Sequence, residues 1–164
     1  MTKRIAIFSD VHGNVHAFQA MYQDAIQQGI DESWFVGDLL MPGPGINSIW
    51  QIFKKLQPTV IVCGNWDDLT VRGARGQMDL DRPSHVYFAR LAQYIGERID
   101  PAVIDEIASW PLHQTKKVGA LTFGISHNLP DLDMGQALFP TNDSSNFDQL
   151  FTDGKLDVAI YAHV

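Results

Sequence analysis

Short apolar runs alternate with longer amphipathic ones through the first part of the chain. Residues 4–9 read as a fully buried strand. Asn14 can cap a helix running to about Gln28, with Val15, Phe18, Tyr22, Ala25 and Ile26 on one face and Gly29 as its stop. Trp34-Phe35-Val36 is a second strand, followed by Gly37-Asp38 and a turn-rich loop, Met41-Pro42-Gly43-Pro44-Gly45. Ile46, Ile49, Trp50, Phe53 and Leu56 recur at helical spacing, and Pro58 closes that helix. Thr59 to Cys63 is a third, β-branched strand ending in Gly64-Asn65. Strands alternating with helices at this rhythm predict an α/β fold whose sheet is largely parallel in this half.

From Trp66 to Trp110 the strand pattern gives way to a helical insert, which could sit over a site as a lid. Tyr87, Leu91, Tyr94 and Ile95 mark the apolar face of one helix, ending at Gly96. Asp100-Pro101 starts another, because aspartate caps and proline fits the first helical position. Its buried face is Val103, Ile104 and Ile107, and Pro111 ends it. Beyond the insert the pattern turns antiparallel. His113–Val118 and Leu121–Ser126 predict a hairpin around Gly119, with Leu121, Phe123 and Ile125 inward. A short helix over about Asn146–Phe151 leads to a last strand, Val158-Ala159-Ile160-Tyr161.

The chain's 164 residues suit one domain, 1–164, with the insert at about 66–110. An apolar share of 45% and a charged share of 19% are those of a globular protein. The net charge of −7 argues against a nucleic-acid surface and suits carboxylates neutralised by bound cations. Cys63 is the sole cysteine, which rules out a disulfide framework and points to the cytoplasm. No apolar run approaches a membrane span, and the one behind Lys3-Arg4 is too short for a signal-peptide core.

Five apolar strands are each followed at once by a polar donor: Asp10 and His12, then Asp38, Asn65, His127 and His163. Ligands of α/β sheets bind outside the carboxyl ends of strands. Turn chemistry explains one Asp or Asn, but not histidines set directly behind buried runs. The set reads as a metal site. His16 and His113 fit exposed or strand positions, and Trp34, Trp50 and Trp110 fit packing positions.

The pattern D-x-H, G-D, G-N, H and H resembles the calcineurin-like metallophosphoesterase superfamily, above all its small bacterial phosphodiesterases, along the whole chain. The resemblance implies a two-layered β-sandwich flanked by helices, around a two-metal site holding Mn, Fe or Zn. Asp10 and His12 would bind the first metal, Asp38 would bridge, and Asn65, His127 and His163 would complete the second. It further implies hydrolysis of phosphodiester or phosphoanhydride bonds in a small phosphorylated substrate, by a metal-activated water.

The sequence departs from the family pattern in three places. The final motif is G-H-x-H, of which Ala162-His163-Val164 matches only the first half. The chain therefore reads as truncated, with a weakened first metal site and a sheet edge open to pairing. An inert binding module of the same fold is the competing reading. Trp66-Asp67-Asp68 follows Asn65 where many relatives have a histidine. That favours leaving groups that depart without a proton, unless Asp67 replaces the lost acid. Asn128 follows His127 where relatives often have glycine, a change expected to be tolerated. Trp66, Arg72 and Arg75 are candidate substrate contacts on the insert, which also offers Arg82, His85, Tyr87 and Arg90; arginine forks suit phosphates and aromatic faces suit nucleobases. Some members of the family with a similar helical insert hydrolyse dinucleoside polyphosphates, and the resemblance keeps that substrate class open.

Overall fold

The intervening helices let the first three strands pair in parallel, since each crossover returns the chain to the same end of the sheet. The structure, a computed structural model, describes residues 2–151 and 154–164. Strand β1 (Ile5–Phe8) leads to helix α1 (Val15–Gln27), β2 (Glu32–Phe35), α2 (Asn47–Leu56) and β3 (Val60–Ile61). These strands form one parallel sheet in the order β1-β2-β3, with Phe8 opposite Phe35 and Ile7 opposite Trp34. Asn14 caps α1 through the Ala17 N–H, and Gln57 ends α2 in a left-handed turn.

Three helices follow: α3 (Asn65–Ala74), α4 (Pro83–Gly96) and α5 (Pro101–Ala108). The hairpin β4 (His113–Val118) and β5 (Leu121–Ser126) is antiparallel, and β6 (Val158–Ile160) joins β5 in parallel after a 3-10 turn over Ser144–Phe151. The second sheet runs β4-β5-β6.

Alternation along the strands sorts the apolar side chains into layers. Trp34, Val60 and Val62 meet Ile125, Phe123 and Ile160 between the two sheets. Phe8 and Phe35 point the other way, into a core shared with Phe18 of α1, Phe53 of α2, Ile95 of α4 and Ile107 of α5. Leu129, Leu138 and Leu150 cover the outer face of the second sheet. The molecule is thus a two-layered β-sandwich flanked by helices. Trp34, Trp50 and Trp110 are all packing residues.

The insert differs from expectation in two respects. It is no lid: Ile95, Val103, Ile104 and Ile107 are spent on the core behind the first sheet. On α4, Tyr87 (60% exposed) and Tyr94 (49%) face outward, while Ala89, Ala92 and Ile95 face inward. The cause is a close helix crossing: a Cβ on Gly73 of α3 would overlap Ala92 of α4, so only small residues fit between them. In the hairpin, Leu121 is exposed as well, although its cross-strand partner Val118 packs against the core between the sheets.

Candidate metal centre

The strand-end loops that carry the predicted donors interlock. Asp10 N–H donates to the Gly37 carbonyl, and His12 N–H to the carbonyl of Asp38. Four of the candidates have left-handed backbones: Asp10 (φ 52°), His12 (φ 48°), Asp38 (φ 66°) and His163 (φ 68°). That conformation costs an ordinary residue about 1–2 kcal/mol. Among the described residues, the remaining non-glycine case is Gln57, the cap of α2. Such concentrated strain is a mark of a functional site. Two glycines make room. A Cβ on Gly37 would come within 2.6 Å of His127 Nδ1, and one on Gly64 would overlap the Asp38 carboxylate.

Two sets of donors converge, and they share Asp38. Asp38, His127 and His163 bring their ligand atoms within 4.8 Å of one another, as do Asp10, His12 and Asp38. Asn65 joins through its side-chain oxygen, which accepts from His163 Nδ1 at 3.0 Å. Asp38 is 1% exposed; its Oδ1 accepts the Trp66 N–H at 2.9 Å, leaving Oδ2 to face His127 and His12.

Backbone carbonyls fix two of the imidazoles. His127 Nδ1 lies 2.6 Å from the Val36 carbonyl and His12 Nδ1 lies 2.5 Å from that of Met41. A carbonyl only accepts, so both Nδ1 atoms carry a proton and both Nε2 atoms are turned toward the carboxylates, free to act as ligands once they have lost any proton of their own. His127 Nε2 is fully buried, 3.2 Å from Asp38 Oδ2, and has no hydrogen-bond partner. A buried nitrogen without a partner costs free energy that a cation would recover. The residues therefore fit a divalent metal, and a mixed carboxylate and imidazole shell suits Mn, Fe or Zn.

The electrostatics agree. The Asp10 carboxylate helps raise the His12 imidazole to about 9, against the opposing effect of burial. Burial lowers the His127 imidazole, but Asp38 and the Val36 carbonyl outweigh it and the net shift is upward. For Asp10, burial works upward and the hydrogen bonds from His12 and Ser9 prevail, holding it below its usual range. Burial and the neighbouring His127 lower His163.

Asp67 is not aimed at this centre. It is 1% exposed, and its two oxygens accept the backbone N–H groups of Asp38, Leu39 and Gly64 at 2.8–2.9 Å. An acid so engaged braces the loops and has no oxygen left to meet a leaving group. Its position in the first turn of α3, where an acid accepts from the capping residue, was the available signal. Trp66 stands beside His12, ring edge to face at 5.8 Å, and packs on Phe88. Arg72 lies further along α3 and Arg75 caps its end; both line a cleft beside that helix, each next to an aspartate. Arg82, His85, Tyr87 and Arg90 lie on or beside the outward part of α4, and His16 is exposed on α1. Burial raises the Cys63 thiol well above its ordinary value, so it is no nucleophile.

Residues 4–163 match the calcineurin-like phosphoesterase superfamily domain. The chain belongs to that superfamily. Its members generally use divalent metals on small phosphorylated substrates, in keeping with the donor set. A metallophosphoesterase from Sphaerobacter thermophilus is 27% identical, with a TM-score of 0.59 over 81% of this chain and 49% of its own. The hypothetical protein PH1004 of Pyrococcus horikoshii OT3 shares the fold at 14% identity, with a TM-score of 0.76 over 98% of this chain and 69% of its own. A protein provisionally described as a diadenosine tetraphosphatase is 25% identical, with a TM-score of 0.54 over 77% of this chain and 50% of its own. The chain thus spans about half the length of two of these relatives. No curated protein matches it. No helix among the described residues is long and apolar enough to cross a membrane.

Proposed function

We propose that this chain hydrolyses a phosphodiester or phosphoanhydride bond, using two divalent cations. Asp10, His12 and Asp38 would hold one; Asp38, Asn65, His127 and His163 would hold the other. The observation that carries this reading is the buried Asp38 carboxylate, common to both donor sets. The bound cations would supply the activation of water and the neutralisation of charge on phosphoryl oxygens.

The chain's own residues orient and exclude. Val36 and Met41 carbonyls aim His127 and His12, and the Trp66 N–H aims Asp38. The Trp66 ring, held against Phe88, closes the His12 side. Neither Trp66 nor the engaged Asp67 supplies a leaving group with a proton. The oxygen that leaves phosphorus must take its proton from water, which favours weakly basic leaving groups over simple alkoxides.

Hydrolysis of bis(4-nitrophenyl) phosphate with Mn²⁺ tests the reading, against the chelated protein and against Asp38→Asn. Both should lose activity by about a hundredfold or more. Full activity after chelation, or in the variant, would overturn it. Cation binding without turnover of any phosphoester would favour the inert binding module of this fold.

A further inference from the structure

An open cleft of about 320 Å³ runs along α3, the helix that begins at Asn65. Cys63 and Asp68 line it from either side of Asn65 in the chain. Asp133 lines it from the loop after β5, close enough for the charges of His127 and Asp38 to act on its carboxyl. Val71, Ile107, Trp110 and Leu112 supply apolar wall, and Gln77 adds an amide. A volume of about 300 Å³ is at the lower end for ligand sites and matches a nucleoside-sized group.

The charges decide what kind of group. The cationic side chains in the lining are Arg72 and Arg75, and both are already paired. Arg72 lies 3.4 Å from Asp68 Oδ2, and Arg75 lies 2.5 Å from Asp105 Oδ1. Asp133 has no cationic partner among the described residues, and burial together with Asp68 raises its carboxyl. The arginines are thus offset by Asp68 and Asp105, and Asp133 leaves a surplus of negative charge. A chain of further phosphates would meet guanidinium groups already offset by carboxylates, with the charge of Asp133 added against it. A neutral group that donates N–H or O–H finds Asp68 and Asp133 as acceptors and an apolar wall for its ring.

We infer that this cleft receives an uncharged, hydrogen-bond-donating heteroaromatic group of nucleoside size, carried by the ester at the candidate metal centre, and that it disfavours a polyphosphate chain. This rests on the phosphoester reading for its part in turnover, and within that reading it selects diesters over phosphoanhydrides.

Calorimetric titration of the protein with adenosine and with tripolyphosphate tests the cleft directly, without turnover. Adenosine should bind the wild-type protein, and Ala108→Phe, which places a ring into the cleft from an exposed position, should weaken it at least tenfold. Tripolyphosphate should bind more weakly than adenosine and gain at least tenfold in Asp68→Asn/Asp133→Asn. With Mn²⁺, Ala108→Phe should raise KM for the 4-nitrophenyl ester of adenosine 5′-monophosphate at least tenfold. The same variant should leave kcat/KM for methyl 4-nitrophenyl phosphate, whose retained group is only a methyl, within threefold. Absent adenosine binding, indifference to Ala108→Phe, or a wild-type preference for tripolyphosphate would overturn the inference. Adenosine bound in the cleft without hydrolysis of any ester would refute the hydrolase reading and leave the cleft assignment standing.

Discussion

Asp67 Oδ2 accepts the backbone N–H of Asp38 at 2.8 Å, tying the first turn of α3 to the loop that holds the shared candidate ligand. The same oxygen accepts from Gly64, and Oδ1 accepts from Leu39. Asp67→Asn turns an NH₂ toward these donors and leaves at least one N–H unsatisfied, at a cost of about 1–3 kcal/mol. Mn²⁺ affinity should fall about 10–100-fold, the usual effect of losing support behind a ligand. Melting curves and Mn²⁺ titration check both. A lower melting temperature with unchanged affinity would show that the brace does not act through Asp38.

Gly64→Ala isolates the space that Asp38 needs. Gly64 has an ordinary φ of −101°, so its new methyl meets no backbone penalty, only the Asp38 carboxylate and, at 2.7 Å, the Asp38 nitrogen. Destabilisation of about 1–3 kcal/mol is expected, together with loss of tight Mn²⁺ binding. Gly76→Ala is the control. It sits at φ +68° with nothing within 4 Å, so it should cost about 1–2 kcal/mol and leave metal affinity alone. Denaturant titration with and without Mn²⁺ separates the two.

The legible part of the site was its donor chemistry. Asp10, His12, Asp38, Asn65, His127 and His163 stand at strand ends, where a buried apolar run makes the next polar residue conspicuous. The strands and α1, α2 and α5 were legible for a related reason: their buried faces are apolar at the right period. Helix α3 was not. It buries Asn65, Asp67, Thr70, Val71 and Gly73, a face too polar and too small to show in an apolar pattern. On α4 the tyrosines outweighed the alanines that face inward, because the crossing at Gly73 is invisible in one dimension. The bracing role of Asp67 depends on amides contributed from 28 and 29 positions away as well as from its own turn.

Proton and cation compete for His12. Asp10 raises its imidazole in the folded chain to about 9, from an ordinary 6.5. In the metal-free protein this proton contributes stability that is complete below pH 6.5 and is lost as pH rises through 9. A cation needs the neutral ring, so its binding should release a proton and tighten as pH rises between those limits. Calorimetry in buffers of different ionisation enthalpy reads the release directly. His12→Ala should abolish that component.

A cation that fills the partnerless position beside His127 should stabilise the fold. At a hundred times its Kd it contributes about 2.7 kcal/mol, or about 5–10 °C for a domain of this size. His127→Ala should lose most of that rise, and His16→Ala, exposed on α1, should keep it. Differential scanning fluorimetry with and without Mn²⁺ compares the three proteins. An undiminished rise in His127→Ala would remove His127 from the site.

Ile7 shares a face with Trp34, the face turned toward the second sheet, yet it is 47% exposed. Its strand, β1, is an outer strand of the first sheet, as β6 is of the second. Asp10 follows β1 and His163 follows β6, so among the described residues both of these outer rims lead straight into the donor set. Asp10 is accordingly the most accessible of the carboxylates there, with a side chain 38% exposed against 1% for Asp38. An extended segment paired onto the β1 rim would run past Asp10 and set its own side chains beside the donor set. On this flank, the rim that a further strand would pair with and the approach to the donor set are one and the same surface.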